Sequence, residues 1–140
     1  MSLRSGYYSI LNAMTGLHVA LCSNEPGTPL AAQQDDGSDG LKWRFEKNSS
    51  GFYRIISRFG GRDSLCANTA FTLHPGIPIF GEPTSGHWHL KPVPSPAERD
   101  EIFVITNSGY AWTLKGYEIF LEPLDKTYTD KTQQWTIRKW

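Results

Sequence analysis

The chain has 140 residues, a length for one domain rather than two. Lys plus Arg and Asp plus Glu number 14 each, so the formal charge is zero, and the basic residues are scattered; this argues against an electrostatic grip on nucleic acid or an anionic membrane. Frequent turn formers (13 Gly, 9 Pro) among many rings (5 Trp, 6 Tyr, 7 Phe) favour short strands over helices, and no apolar run reaches the ~18 residues of a membrane span.

In chain order, the opening Met1-Ser2-Leu3-Arg4-Ser5-Gly6 holds no apolar stretch of signal-peptide length, so a cytoplasmic protein without classical secretion is expected. Strands are expected at residues 7–12, 18–23, 28–33 and 42–47, with turn residues at 12–16 and 24–27 between them. Asn48-Ser49-Ser50 then reads as a turn. Four markers show that this four-strand pattern recurs. Trp43, Trp88 and Trp135 are spaced 45 and 47 apart, each opening an alternating segment with its ring inward. Tyr8-Ser9-Ile10, Tyr53-Arg54-Ile55 and Phe103-Val104-Ile105 precede those tryptophans by 35, 35 and 32 residues. Pro29-Leu30, Pro78-Ile79 and Glu118-Ile119 form another set. Leu21-Cys22-Ser23-Asn24 matches Leu65-Cys66-Ala67-Asn68 at 44 residues, with Ala111-Trp112-Thr113-Leu114 in that place in the third copy. The units are 6–49, 50–97 and 98–140, and Pro92, Pro94 and Pro96 make a stiff connection between the last two.

Three units of four strands make twelve. Around a pseudo-threefold axis, six of them can close into a barrel and the rest can cap one end as hairpins, which removes exposed sheet edges. A three-bladed propeller has fewer blades than propellers need, and a solenoid would leave open ends.

The aromatic–x–Ile, Leu-Cys and Trp pattern, with Gln133-Gln134-Trp135 as a literal Q-x-W, resembles the ricin-B-type β-trefoil over essentially the whole chain. Leu41-Lys42-Trp43 and Gly86-His87-Trp88 are the departures from Q-x-W. Ser5-Gly6-Tyr7-Tyr8-Ser9-Ile10 and Trp88-His89-Leu90-Lys91-Pro92-Val93-Pro94 are similar to small mushroom trefoil proteins. That group includes cytoplasmic lectins and protease inhibitors of the cnispin and mycocypin kind. The resemblance implies an all-β, β-trefoil fold, a fungal source with a defence or storage role, and binding without catalysis.

For a ricin-type sugar site the resemblance implies a carboxylate after the Leu-Cys strand, a stacking ring and an Asn near the Q-x-W. Those positions hold Asn24 and Asn68, then Gln33, Glu82 and Glu122, then Gly40, Ser85 and Thr132. None is the expected residue, so the ricin-type galactose site is intact in no unit. The remaining cluster of paired donors and acceptors is in unit one: Asn24, Gln33, Gln34, Asp35, Asp36 and Gly37, with Asp39 nearby. Asn68 and Gln133 complete the candidate carbohydrate-binding set, and weak monosaccharide binding is expected for want of a ring. The same Asp and Gly residues also read as a solvated hairpin loop.

A protease inhibitor is the alternative. It would present a rigid loop with Arg62 or Lys115 at its tip, or wedges such as Gly27-Thr28-Pro29 and His74-Pro75-Gly76. Cys22 and Cys66 read as core thiols on equivalent second strands rather than as nucleophiles or a disulfide. His87 and His89 share one strand face but lack an evident third metal ligand. No catalytic or phosphate-binding motif is present, and neither a cofactor nor a metal is expected. The expected partner is a glycan or glycoprotein, or else a protease; a homodimer would raise avidity.

Overall fold

The computed structural model describes residues 3, 6–70, 72–94 and 101–140. Pro96, at the end of the proline-rich connection, lies outside the described residues, as does Ser5.

Among the described residues thirteen strands form one continuous hydrogen-bonded system. Unit one contributes β1 (Tyr7–Asn12), β2 (His18–Ala20), β3 (Ala31–Gln33) and β4 (Trp43–Lys47). Unit two contributes β5 (Tyr53–Ser57), β6 (Cys66–Asn68), β7 (Ile77–Pro78), β8 (Phe80–Glu82) and β9 (His89–Pro92). Unit three contributes β10 (Glu101–Asn107), β11 (Tyr110–Lys115), β12 (Glu118–Pro123) and β13 (Trp135–Lys139). The expected twelve strands are therefore thirteen. The third strand of unit two is divided at Ile79, where the chain leaves β12 and crosses to Pro29 and β6. In unit one the second and third strands are shorter than expected, and the first matches its predicted bounds.

Six strands close a barrel. β1 pairs with β4 and β13, β4 with β5, β9 with β10, and β10 with β13, all antiparallel. A single bridge between Tyr53 and Trp88 closes the gap between β5 and β9. Closure leaves no free edge around this ring. The hairpins β2–β3, β6–β8 and β11–β12 cap one end and touch one another through Glu118–Ala31, Phe120–Pro78 and Pro29–Phe80. All-β composition, barrel closure and the three-hairpin cap make this a β-trefoil.

The sequence markers explain how the units lock together. Each tryptophan sits where its strand crosses the first strand of its unit: Tyr8 opposes Trp43, Tyr53 opposes Trp88, and Phe103 opposes Trp135. All six of these rings are buried. Each indole N–H then reaches the second strand of the same unit. Trp43 donates to the Val19 carbonyl at 3.0 Å, Trp88 to Ala67 at 2.9 Å and Trp135 to Trp112 at 3.0 Å. One residue type thus fills the barrel mouth and satisfies a buried strand carbonyl, which an aliphatic side chain could not do. Trp112 packs edge-on against Trp88 and Trp135, at centroid distances of 5.4 and 6.2 Å. Nearer the cap, Leu30, Ile79 and Ile119 are all buried, and the backbone amides of Leu30 and Ile79 donate to Ile79 and Ile119 in turn. The Pro-Leu marker therefore aligns as the sequence suggests.

The Leu-Cys marker does not. The indole bonds make Val19, Ala67 and Trp112 equivalent, and the cross-strand pairs Leu11–His18, Ile56–Cys66 and Thr106–Ala111 agree. Cys66 therefore matches His18, not Cys22. The expectation that both thiols face the core is corrected accordingly. Cys66 is buried, but β2 ends at Ala20 and Cys22 lies beyond it, exposed. Burial pushes the Cys66 thiol up from its ordinary value, partly offset by the Arg54 guanidinium beside it. In the folded protein Cys22 should therefore react readily with a maleimide while Cys66 reacts only on unfolding. Mass spectrometry of the labelled peptides reads this directly, and equal rates at both thiols in the native state would contradict it.

Candidate functional site

The shifted register brings together residues that lie far apart in the chain. A cleft of about 430 Å³ opens between the β2–β3 hairpin, the segment leading into Trp43, and the turn after β5 in unit two. Its lining includes Leu21, Cys22, Gln33, Asp36, Ser38, Asp39, Gly40, Phe59 and Gly60. Gly40 is buried and sits tight against the Leu21 backbone, whose N–H donates to the Gly40 carbonyl at 3.0 Å. Phe59 is half-buried, packs against the core and makes the apolar wall.

The polar wall is cross-linked. Gln33 donates through Nε2 to Asp36 Oδ2 at 3.1 Å, and its Oε1 accepts from the Cys22 thiol at 3.5 Å. The Ser38 hydroxyl and backbone amide hold the Asp36 carboxyl below the usual carboxylate range, the amide at 2.9 Å from Oδ1. Lys42 Nζ lies 3.3 Å from Asp39 Oδ1 at the margin. Asp35 accepts from the Gly37 amide at 2.9 Å, and Gly37 has φ +73, so these two residues shape the loop.

A second cleft, of about 710 Å³, occupies the corresponding place in unit two. Its lining includes Asn68, Thr69, Leu73, Phe80, Glu82, Thr84, Ser85 and His87, with Asn107 at the end of β10 and Ser108 in the turn after it. In the register fixed by the indole bonds, Asn68, Thr69, Ala70 and Glu82 stand where Ala20, Leu21, Cys22 and Gln33 stand in the first. The same register puts Thr113, Leu114, Lys115 and Glu122 in unit three, where Lys115 and Glu122 form an ion pair across the position.

The structure distributes the predicted residues unevenly. Gln33 and Asp36 line the first cleft and bond each other. Gln34, Asp35 and Gly37 are exposed on the adjoining loop. Asn24 is exposed in a turn that leaves the cleft: the following Gly27 amide donates to Gly81 of unit two, and Gly81 donates back to Thr28. Asn68 lines the second cleft, but its amide is engaged inside the hairpin, donating to Thr84 and accepting from the Thr69 amide at 2.8 Å. Gln133 is buried and faces inward. It donates to Thr113 Oγ1 and the Pro123 carbonyl and accepts from the Asp125 amide, so it ties the loop before Trp135 to β11 rather than offering groups at the surface. Arg62 is exposed in the turn after Gly60 and Gly61, and Lys115 is exposed but paired with Glu122. His87 and His89 both contact the ring of Phe52, at 5.4 and 4.2 Å.

Phe59 is the residue that sequence reasoning missed. The ricin-type pattern places a stacking ring within its own unit, whereas Phe59 reaches the first cleft from the next one. The available signal was Phe59-Gly60-Gly61, an aromatic residue fixed beside two glycines with φ +79 and +82.

No protein-family profile and no curated protein matches this sequence. Solved structures do match in fold. The agglutinin of Rhizoctonia solani superposes with a TM-score of 0.82 at 19% identity, covering 100% of this chain and 99% of its own. A ricin B-like lectin of Macrolepiota procera, solved in complex with lactose, gives 0.79 at 19% identity with full coverage of both chains. The designed three-fold symmetric protein ThreeFoil gives 0.80 at 17% identity, covering 96% of this chain and 99% of its own. The resemblance to ricin-B-type β-trefoils read from the sequence thus holds at the level of the fold.

Proposed function

We propose that the protein is a non-catalytic carbohydrate-binding lectin whose first ligand site is the unit-one cleft. The carrying observation is the pairing there of directional polar groups (Gln33, Asp36, Ser38 and Asp39) with an aromatic wall, Phe59, in one concave place. A sugar presents hydroxyls on its rim and C–H groups on its face, and it needs both kinds of surface. The recurrence of a comparable cleft in unit two supports the reading, as does the fold shared with an agglutinin and a lactose-bound lectin. Each cleft is small and open to water, so single-site affinity is about millimolar, near −4 kcal/mol. Useful retention of a glycoprotein then comes from engaging both clefts.

The test is a glycan array beside a small protease panel, followed by two variants. Asp36→Ala should weaken binding of the array's best glycan about 3- to 10-fold, the loss of one or two hydrogen bonds. Asn24→Ala should leave it unchanged, because its turn leads away from the cleft. Bound glycan should also slow maleimide labelling of Cys22, which lines the cleft. Inhibition of a protease with no glycan bound would replace this reading with the inhibitor one, and Arg62 would be the residue to mutate.

A further inference from the structure

The two clefts are built on equivalent backbone positions but differ in what their side chains have left to give. In the unit-one cleft much of the side-chain donor capacity is spent internally. The Cys22 thiol is turned on Gln33 Oε1, one Gln33 amide N–H on Asp36 Oδ2, and the Ser38 backbone amide on Asp36 Oδ1. Beside the second Gln33 N–H and the Ser38 hydroxyl, the larger remaining capacity is that of acceptors, on the carboxylates of Asp36 and Asp39. Among its lining residues there is no Lys, Arg or His; Lys42 is paired with Asp39 through Oδ1. The unit-two cleft instead presents His87 and Asn107 as donors alongside Glu82.

We propose that the unit-one cleft selects its sugars by charge and donor balance: it takes ligands that bring hydrogen-bond donors, prefers a free hexosamine ammonium to a plain hydroxyl, and rejects uronic and sialic acids. This rests on the carbohydrate reading above and narrows it to a ligand class. A hydroxyl donates one proton to a carboxylate, whereas an ammonium donates up to three and adds a charge-assisted bond. A sugar carboxylate brings only acceptors and like charge to a wall already anionic.

The experiment uses the full chain with D-galactose, D-galactosamine and D-galacturonic acid, titrated at low salt and pH 6 and followed by ¹H–¹⁵N shifts of Ser38 and Gly60. Galactosamine should bind about 5- to 10-fold more tightly than galactose, and galacturonic acid at least 10-fold more weakly. The amine's advantage should shrink in 0.5 M salt, a concentration chosen to give a Debye length of roughly 4 Å, while galactose binding stays level. Asp36→Asn and Asp39→Asn keep the side-chain shape, and each should flatten the ranking. Lys42→Met leaves both carboxylates in place and should widen it. Equal binding of galactose and galacturonic acid at these amides would overturn the charge selection while leaving the carbohydrate reading intact. No shift with any of the three sugars would overturn both.

Discussion

Trp88→Ala should cost about 3–5 kcal/mol of folding stability, a large share of the 5–15 kcal/mol that holds a domain together. The ring is fully buried, edge-on to Trp112, and its indole N–H satisfies the Ala67 carbonyl. Truncation therefore leaves a cavity and an orphaned acceptor at once. Trp88→Phe separates the two effects: most of the apolar volume stays and the hydrogen bond goes, for about 1–3 kcal/mol. Trp140 is the control. It is half-exposed, with Lys42 4.7 Å from its ring centroid, and its replacement by Ala should cost roughly 1 kcal/mol or less. Urea unfolding followed by far-UV circular dichroism gives all three values. A Trp88→Ala midpoint no lower than that of Trp140→Ala would refute the placement of Trp88 at the barrel mouth.

The second large effect is expected at Gly40. A Cβ there would stand 2.5 Å from the Leu21 carbonyl oxygen, which is backbone and cannot swing aside, and 3.5 Å from Phe59. The glycine is required by proximity and not by its dihedral angles, since it is not in the left-handed region. Gly40→Ala must push the segment before Trp43 away from β2, straining the bond from the Leu21 amide to the Gly40 carbonyl and widening the unit-one cleft. We expect about 1–3 kcal/mol of destabilisation, together with a measurable loss of glycan affinity that Asn24→Ala does not show. Gly37→Ala meets no neighbouring atom and bears only the strain of φ +73, about 1–2 kcal/mol. A Gly40→Ala protein with unchanged melting temperature and unchanged Ser38 and Gly60 shifts would show that the two backbones are not in contact.

How far the sequence could be read depends on what enforced each marker. The tryptophans and the aromatic–x–Ile strands are tied by one cross-strand pair per unit, so their spacing stays nearly constant and the barrel was legible. The Leu30, Ile79 and Ile119 positions are likewise held by amide-to-carbonyl bonds from one unit to the next. Nothing comparable fixes the distance from first to second strand. Asn12 to His18, Ser57 to Cys66 and Asn107 to Tyr110 are joined by turns of unequal length, and the second carries its own short helical turn, Phe59–Gly61. Two Leu-Cys pairs 44 residues apart therefore agree by accident. The misaligned marker had a direct consequence for the site: it promoted Asn24, which the fold carries off toward Gly81, and hid Phe59, which the longer turn delivers to the first cleft. Gln133 was named for its place in the Q-x-W, yet that glutamine serves the interior through three hydrogen bonds.

The pairing of β1 with β13 also sets a clock. Tyr8 lies opposite Lys139 in the closed barrel, and β13 in turn supplies the partner of β10. A ribosome delivers residues from the amino end, so β1 waits until Trp135–Lys139 have been made before its second neighbour exists. Until then units one and two can build their hairpins and seat Trp43 and Trp88, but β1 stays open along one side. Contacts between residues so far apart in sequence are slow to form because the loop must be closed before they stabilise anything. Trp135–Lys139 are thus the residues that turn an open, association-prone sheet into a ring, and a chain cut short before Trp135 would be held at that stage.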